Sequence, residues 1–271
     1  MCDNTASVFR CVAIGIAAEN KQLGSKELVV TPHEKLPFVD GELVNKVDTL
    51  EYESQDKDGK VLSGTSFVSN DITATWLPET NRKTAPDIRR GEYISLWQFG
   101  SNDKYYWRSM GLNDDLRRLE TVIWAINANP SESQDGFDPE NMYFVEFSSH
   151  TKMVTFSTSK MNGEYCTYDF QFDMANGKVV LQDDLGNYSF MDSKQTHFRM
   201  ENMLGTYIEM NKQFIKGYAP KDIDLEAGNN FNLKCKKATL DGGGSVMTLQ
   251  ASGTTLRPPI VTGKQIGRAH V

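Results

Sequence analysis

The chain has 271 residues, of which 39% are hydrophobic and 24% charged, and a formal net charge of -7. That length holds one large domain or two ordinary ones, and the hydrophobic share argues against wholesale disorder. An acidic chain lacks the clustered Lys and Arg that phosphate contacts need, which excludes nucleic acid as the expected partner.

The first hundred residues read as strands. Val8 to Ile16 is apolar and partly β-branched, and Glu27 to Thr31 is a second short strand. Glu42 to Ser54 follows. The turn Asp56-Lys57-Asp58-Gly59 then lets Val61 to Trp76 pair back. Pro78 ends that run, and Asn81 to Gly91 is a loop carrying Arg89-Arg90. Glu92 to Phe99 and Lys104 to Met110 form two more strands across a Gly100-Ser101-Asn102-Asp103 turn. About five strands of this length suggest a small barrel or sandwich, and the five-stranded OB barrel is the natural candidate. Leu116 to Asn127 fits either a helical face or a β-branched strand, and is read as a strand closing this first domain. The expected domain is thus 1–128. Residues 129–150, rich in Pro, Gly, Ser and acids at their start, are read as a linker.

The second half, 151–264, has a different texture. Short strand-like pieces alternate with Gly, Asn and Asp, and then a tighter beat appears. Leucines fall at 225, 233, 240, 249 and 256, in steps of 8, 7, 9 and 7 residues. In each unit apolar and polar residues alternate, so one face of a short strand is apolar. The expected core of this region is Ile223, Leu225, Phe231, Leu233, Leu240 and Leu249. One unit cannot hold itself. Two inward side chains gain roughly 3–6 kcal/mol, whereas fixing eight backbones costs roughly 8–16 kcal/mol. The rest must come from neighbouring units or from identical chains. The expectation is an all-β protein whose second half is a repetitive β-helical shaft, wound from three chains around a shared apolar axis. An ordinary antiparallel meander is the simpler alternative.

The cysteines at 2, 11, 166 and 235 form no C-x-x-C, so neither a zinc site nor a redox pair is expected. Scattered cysteines suit a reducing compartment, and Met1-Cys2-Asp3-Asn4 lacks a basic signal-peptide start. Synthesis in the cytoplasm is the expectation. The last seven residues, Gln265 to Val271, read back as CAG-ATC-GGA-AGA-GCA-CAC-GTC, a sequencing-adapter stretch. They are expected to be an appended artefact, with the natural chain continuing past Lys264.

No catalytic constellation stands out. Asp114-Asp115 and Asp183-Asp184 are adjacent pairs rather than carboxylates across a cleft. Gly242-Gly243-Gly244-Ser245 lacks the Lys of a phosphate loop. His33, His150 and His197 are dispersed. Two groups are candidates for recognition. Arg89 and Arg90 suit a docking surface that pairs with carboxylates, as do Arg117 and Arg118. Trp97, Tyr105, Tyr106 and Trp107 suit stacking on sugar rings, or else form the core and rim of one hairpin.

Two stretches carry a family resemblance. The run from Gly186 to Leu240, GNYSFMDSKQTHFRMENMLGTYIEMNKQFIKGYAPKDIDLEAGNNFNLKCKKATL, resembles the β-helical shafts of the central spike proteins of contractile phage tails and of type VI secretion spikes. The stretch from Ala74 to Trp107, ATWLPETNRKTAPDIRRGEYISLWQFGSNDKYYW, is similar to the OB-like domain of baseplate spike proteins. The resemblance implies a homotrimeric, non-enzymatic virion component in the tail baseplate. It would dock on hub and tail-tube proteins and be driven through the bacterial envelope during host cell entry. Some such spikes carry a lysozyme domain between barrel and shaft, and the stretch from Asn113 to His150 is too short for one. Some bind iron at the tip through histidines. No cofactor is expected within this sequence, and a tip metal would belong to a C-terminus beyond it. The alternative is a receptor- or glycan-binding tail adhesin without catalytic activity.

Overall fold

A computed structural model of the chain describes residues 8–33, 48–55, 61–68, 71–131 and 136–257. The tail 265–271, the turn at 56–59 and the start of the expected strand at 42–47 lie outside the described residues. The described residues form nineteen strands and no α-helix, so the protein is all-β.

Strands β1 (Phe9–Ala17) and β2 (Glu27–Thr31) are followed by a separate hairpin, β3 (Asp48–Gln55) with β4 (Val61–Val68), and then by β5 (Ile72–Trp76), β6 (Tyr93–Phe99) and β7 (Tyr105–Ser109). The run expected as one strand, Val61 to Trp76, is therefore two. Its first half pairs with β3, as the Asp-Gly turn predicts, and its second half joins the barrel.

The barrel closes in the order β1-β2-β5-β7-β6. All its pairs are antiparallel except β5 with β7, where Ala74 to Trp76 run parallel to Tyr105 to Trp107. Period-2 alternation sends Leu28, Val30, Ile94, Leu96 and Trp107 inward to a core with almost no exposure. On β1 the inward residues are small: Ala13, Gly15 and Ala17. A Cβ at Gly15 would run into Val30 Cγ1 and the Thr31 carbonyl, so the strand needs glycine there. A bulge between Cys11 and Ala13 lets β1 bend between β6 and β2.

β8 (Thr121–Asn127) does not close this barrel. Its β-branched residues pair in a full ladder with β9 (Met142–Ser148), and it begins a nine-stranded sheet. That sheet continues through β10 (Met153–Ser157), β11 (Tyr168–Asp173), β12 (Lys178–Asp183), β13 (Tyr188–Asp192), β14 (His197–Glu201), β15 (Tyr207–Met210) and β16 (Ile215–Tyr218). Each strand pairs antiparallel with the next, so within one chain the sheet is a meander. The stretch read as a linker, 129–150, thus contains β9, an interior strand next to the sheet edge. The exposed edge of β8 is covered by the β5–β6 loop: Lys83 N donates to the Ile123 carbonyl and Ala125 N to the Asn81 carbonyl.

Barrel and sheet are tied by a partly buried ion network. The Arg117 guanidinium donates to Glu92 at 3.0 Å, Glu120 at 3.3 Å and Asp114 at 2.8 Å. Burial works against the charge of Arg117, but the Glu92 hydrogen bond and the three carboxylates outweigh it and its pKa is raised. Asp87 receives the buried Lys21 at 3.4 Å and His150 at 2.9 Å.

The chain divides after Lys221 into two compact units. The second contains a three-stranded antiparallel sheet, β17 (Lys237–Gly242), β18 (Ser245–Gln250) and β19 (Gly253–Arg257). The strands expected at 222–225 and 230–233 are absent: these residues lie in no ladder.

Candidate assembly and docking surfaces

Register assigns every side chain of the nine-stranded sheet to a face. Trp124 lies opposite Val145, and Phe147 opposite Val154. The same face continues through Phe156 opposite Phe170, Phe172 opposite Val179, and Leu181 opposite Ser189. It proceeds through Met191 opposite Phe198, Met200 opposite Ile208, and Met210 opposite Ile215. One face is therefore apolar from the first strand to the last, about 38 Å at the usual strand spacing. Its large side chains are open to solvent: Trp124 43%, Leu181 48%, Met200 52%, Ile208 56%. No other element of the described residues packs across β10 to β16 in number; each contacts its ladder neighbours. The buried cluster of this sheet, Ile123, Ala125 and Met142, lies on the opposite face, with Phe144 packed against it.

Further along the sheet that opposite face carries ion pairs. Arg199 pairs with Glu201 at 2.7 Å and Glu209 at 3.1 Å, lies over the Tyr207 ring, and His197 bonds Glu209 at 2.8 Å. Tyr188 hydrogen-bonds Glu201, which holds the Glu201 carboxyl below its usual range, with Arg199 adding to the effect. One exception is Glu146, half-buried opposite Ile123 and Thr155, where burial raises its pKa.

The turns are reinforced along both long edges. Asp183 accepts from the backbone of Leu185 and Asn187 and from the Asn187 amide. Asn187 in turn accepts from Met203 N of the next turn on the same edge. Asp184 accepts from Thr167 N of the preceding turn and pairs with Lys160. On the other edge Asp173 holds Asn176 by its backbone and side chain. These hydrogen bonds hold the carboxyls of Asp173, Asp183 and Asp184 below their usual range.

The expected site residues separate. Trp107 is fully buried and its indole N–H donates to the Lys26 carbonyl at 3.0 Å, so it belongs to the barrel core and not to a docking or glycan surface. Tyr105 shares its side of β7 and packs partly buried against that core. Trp97 does lie on the outer wall. It stacks on Phe9 with ring centroids 4.9 Å apart, and Arg108 lies over its ring. Phe99 stacks on Phe9 and meets Tyr106 edge-on, which completes an outer aromatic cluster. Tyr106 was visible in the sequence. Phe9 and Phe99 were missed because the cluster forms across three strands.

Arg90 is exposed on the β5–β6 loop and Arg89 is half-buried beside it. Arg117, by contrast, is committed to the internal network. The six residues expected to form a shaft core, Ile223, Leu225, Phe231, Leu233, Leu240 and Leu249, are exposed in the single chain. Leu240 and Leu249 share one face of the β17–β19 sheet with Ala238, Met247 and Leu256. Among the described residues no group of three or more His, Cys, Asp and Glu is placed to hold a metal ion. A search against family models finds no match to the chain, and a search of curated proteins finds no similar sequence.

Proposed function

We propose that this chain is the central spike of a contractile-tailed phage baseplate, a homotrimer that docks on the tail hub through its barrel and pierces the bacterial envelope with its shaft. The observation that carries this reading is the continuous uncovered apolar face of the nine-stranded sheet. A soluble chain does not leave such a surface bare; contiguous apolar patches of this extent mark interfaces. Three identical sheets, each turning its apolar face inward, enclose a dry triangular core and leave the Arg199 and His197 face to solvent. Cyclic symmetry supplies the missing layer that a single chain lacks. Each covered side chain then gains on the order of 1 kcal/mol, since each is already about half buried. The laddered turns add stiffness along the edges, which a driven rod needs.

The barrel supports the docking half of the reading. Five strands close with the first pairing both the second and the fourth and the third parallel to the fifth, an order that supports an OB-like reading of the barrel. In this reading the protein is a structural virion component with no catalytic activity, and it is made in the host cytoplasm. Light scattering on the full chain is expected to give three chain masses; a monomer overturns the proposal.

One observation favours a second reading, the glycan-binding adhesin. The outer cluster of Phe9, Trp97, Phe99 and Tyr106 offers aromatic faces with Arg108 beside them. Glycan-array binding that disappears with Trp97→Ala selects this reading, and the absence of binding removes it.

A further inference from the structure

Asparagine followed by glycine is open to spontaneous chemistry, because glycine has no side chain to shield its amide nitrogen. The chain has two such dipeptides, Asn162-Gly163 and Asn176-Gly177, both in hairpin connections of the nine-stranded sheet. Both asparagines are exposed, and both glycines take a positive φ, +91° at Gly163 and +71° at Gly177. What differs is the carboxamide. Asn176 donates its side-chain N–H to Asp173 at 2.7 Å and its backbone N–H to the same carboxylate at 2.9 Å. The Asn162 carboxamide forms no hydrogen bond among the described residues, and only its backbone N–H is engaged, by Glu164 at 2.9 Å. The two glycines differ in the same direction. A Cβ at Gly163 would meet nothing within 4 Å, whereas at Gly177 it would meet Lys194 N of the next turn at 3.8 Å. The Gly163 amide is itself loosely held, by the Lys160 carbonyl at 3.4 Å.

We infer that Asn162 is a site of spontaneous deamidation, and that Asn176 is protected from it by Asp173. The Gly163 nitrogen attacks Cγ of Asn162. The bond from Cγ to the side-chain nitrogen breaks, and that nitrogen leaves as ammonia with the proton that Gly163 gives up. A cyclic imide remains. One water opens it at either carbonyl, giving aspartate or an isoaspartate whose backbone runs through the former side chain. No oxidant or cofactor enters. At Asn176 a charge-assisted hydrogen bond must break first, and the nearby carboxylate opposes the negative charge that develops on attack. At Asn162 the consequence falls on a latch. Glu164 accepts from the Asn162 backbone and from the Tyr143 hydroxyl of β9. A carboxylate at 162 sets a like charge beside Glu164, and isoaspartate adds a methylene to the backbone that positions it. The β10–β11 loop then loses its hold on Tyr143. This chemistry belongs to the single chain and does not rest on the homotrimer reading.

The test ages the full chain in mildly alkaline buffer, digests it and weighs the peptides. The peptide with Asn162 is expected to gain one dalton and to become a substrate for isoaspartyl methyltransferase. It should do so at least about tenfold faster than the peptide with Asn176, the factor set by one hydrogen bond to a charged group. In urea the two rates should converge. Equal rates in the folded chain overturn the inference, and so does an Asn162 that stays unmodified. Asp173→Ala should raise the rate at Asn176 towards that at Asn162. An unchanged rate, in a variant whose circular dichroism matches the parent, overturns the protective role of Asp173. Hydrogen exchange of 158–167 before and after ageing reads the latch. Faster exchange is expected, and an unchanged profile overturns the release of Tyr143 while the deamidation stands.

Discussion

The barrel and the nine-stranded sheet solve the problem of covering apolar residues in opposite ways. The barrel curls until its first strand meets its fourth, so Leu28, Val30, Ile94, Leu96 and Trp107 face one another and none needs a partner molecule. The sheet does not close. Its strands alternate as strictly, but Trp124, Phe156, Leu181, Met200 and Ile208 face outward and stay largely exposed among the described residues. The same period-2 pattern therefore makes a self-sufficient domain in one region and an unfinished layer in the other. What differs is closure. Small residues at Ala13, Gly15 and Ala17 and a bulge after Cys11 let β1 bend, whereas the sheet's short hairpins repeat without a comparable device.

The sharpest way to break this comparison is to charge the open face. Met200→Asp on β14 is expected to abolish assembly, because a carboxylate without a partner would be buried at the centre of the proposed trimer. If the face were truly bare, the same change would be nearly silent, within about 0.5 kcal/mol. Sedimentation and thermal melting of the variant distinguish the two. Loss of the trimer is the expected result, and an unchanged mass with an unchanged melting curve would show that nothing covers the sheet.

The barrel offers the converse test with two tryptophans one strand apart. Trp107→Ala empties the fully buried position and is expected to cost about 3–5 kcal/mol of barrel stability. Trp97→Ala removes an outer-wall ring and is expected to cost no more than about 1.5 kcal/mol, mostly its contact with Phe9. Urea unfolding followed by near-UV circular dichroism measures both. Equal losses would mean that the outer cluster is part of a folded core and not a surface.

These two residues also show what the sequence could carry. Alternation places Tyr105 and Trp107 on one side of β7 and Tyr106 on the other, but it does not say which side is inside. That choice is made by Lys26, whose carbonyl receives the Trp107 indole from 81 positions away. The barrel strands were legible because turns and Pro78 punctuate them. β8 was ambiguous because Leu116 and Leu119 extend a helical spacing into it. Its strand character is settled by the full ladder to β9 and the edge bonds from Asn81 and Lys83. The apolar beat at Ile223, Leu225, Phe231 and Leu233 was legible as alternation, yet no ladder forms there. Local pattern specifies that a strand wants a partner, and it is silent on whether that partner lies in the same chain. For the same reason the open face of β8 to β16 went unread: only register shows that residues from nine short strands line one side.

The smallest expected effect concerns what holds the sheet before any partner arrives, its hairpin turns. The carboxyls of Asp173, Asp183 and Asp184 are held below their usual range by hydrogen bonds from turn residues and neighbouring groups. Groups with depressed folded pKa values stabilise the fold above the unfolded value, near about pH 4, and that stabilisation is lost as pH falls through the lower folded values. Glu146 acts in the opposite sense. Its raised pKa makes its contribution most favourable in acid and least favourable as pH rises through the folded value. Net acid lability of the turns therefore depends on the aspartates outnumbering it. Hydrogen exchange at Leu185 and Asn187, whose amides donate to Asp183, reads this directly. Protection is expected to fall as pH drops below the usual carboxylate range and the aspartates take up protons. Asp183→Asn keeps an acceptor oxygen without the charge, so it should lower protection modestly at pH 5 and flatten the pH dependence. A wild-type profile that is already flat would mean that strand pairing alone sets the turns, and that the barrel and the sheet differ only in closure.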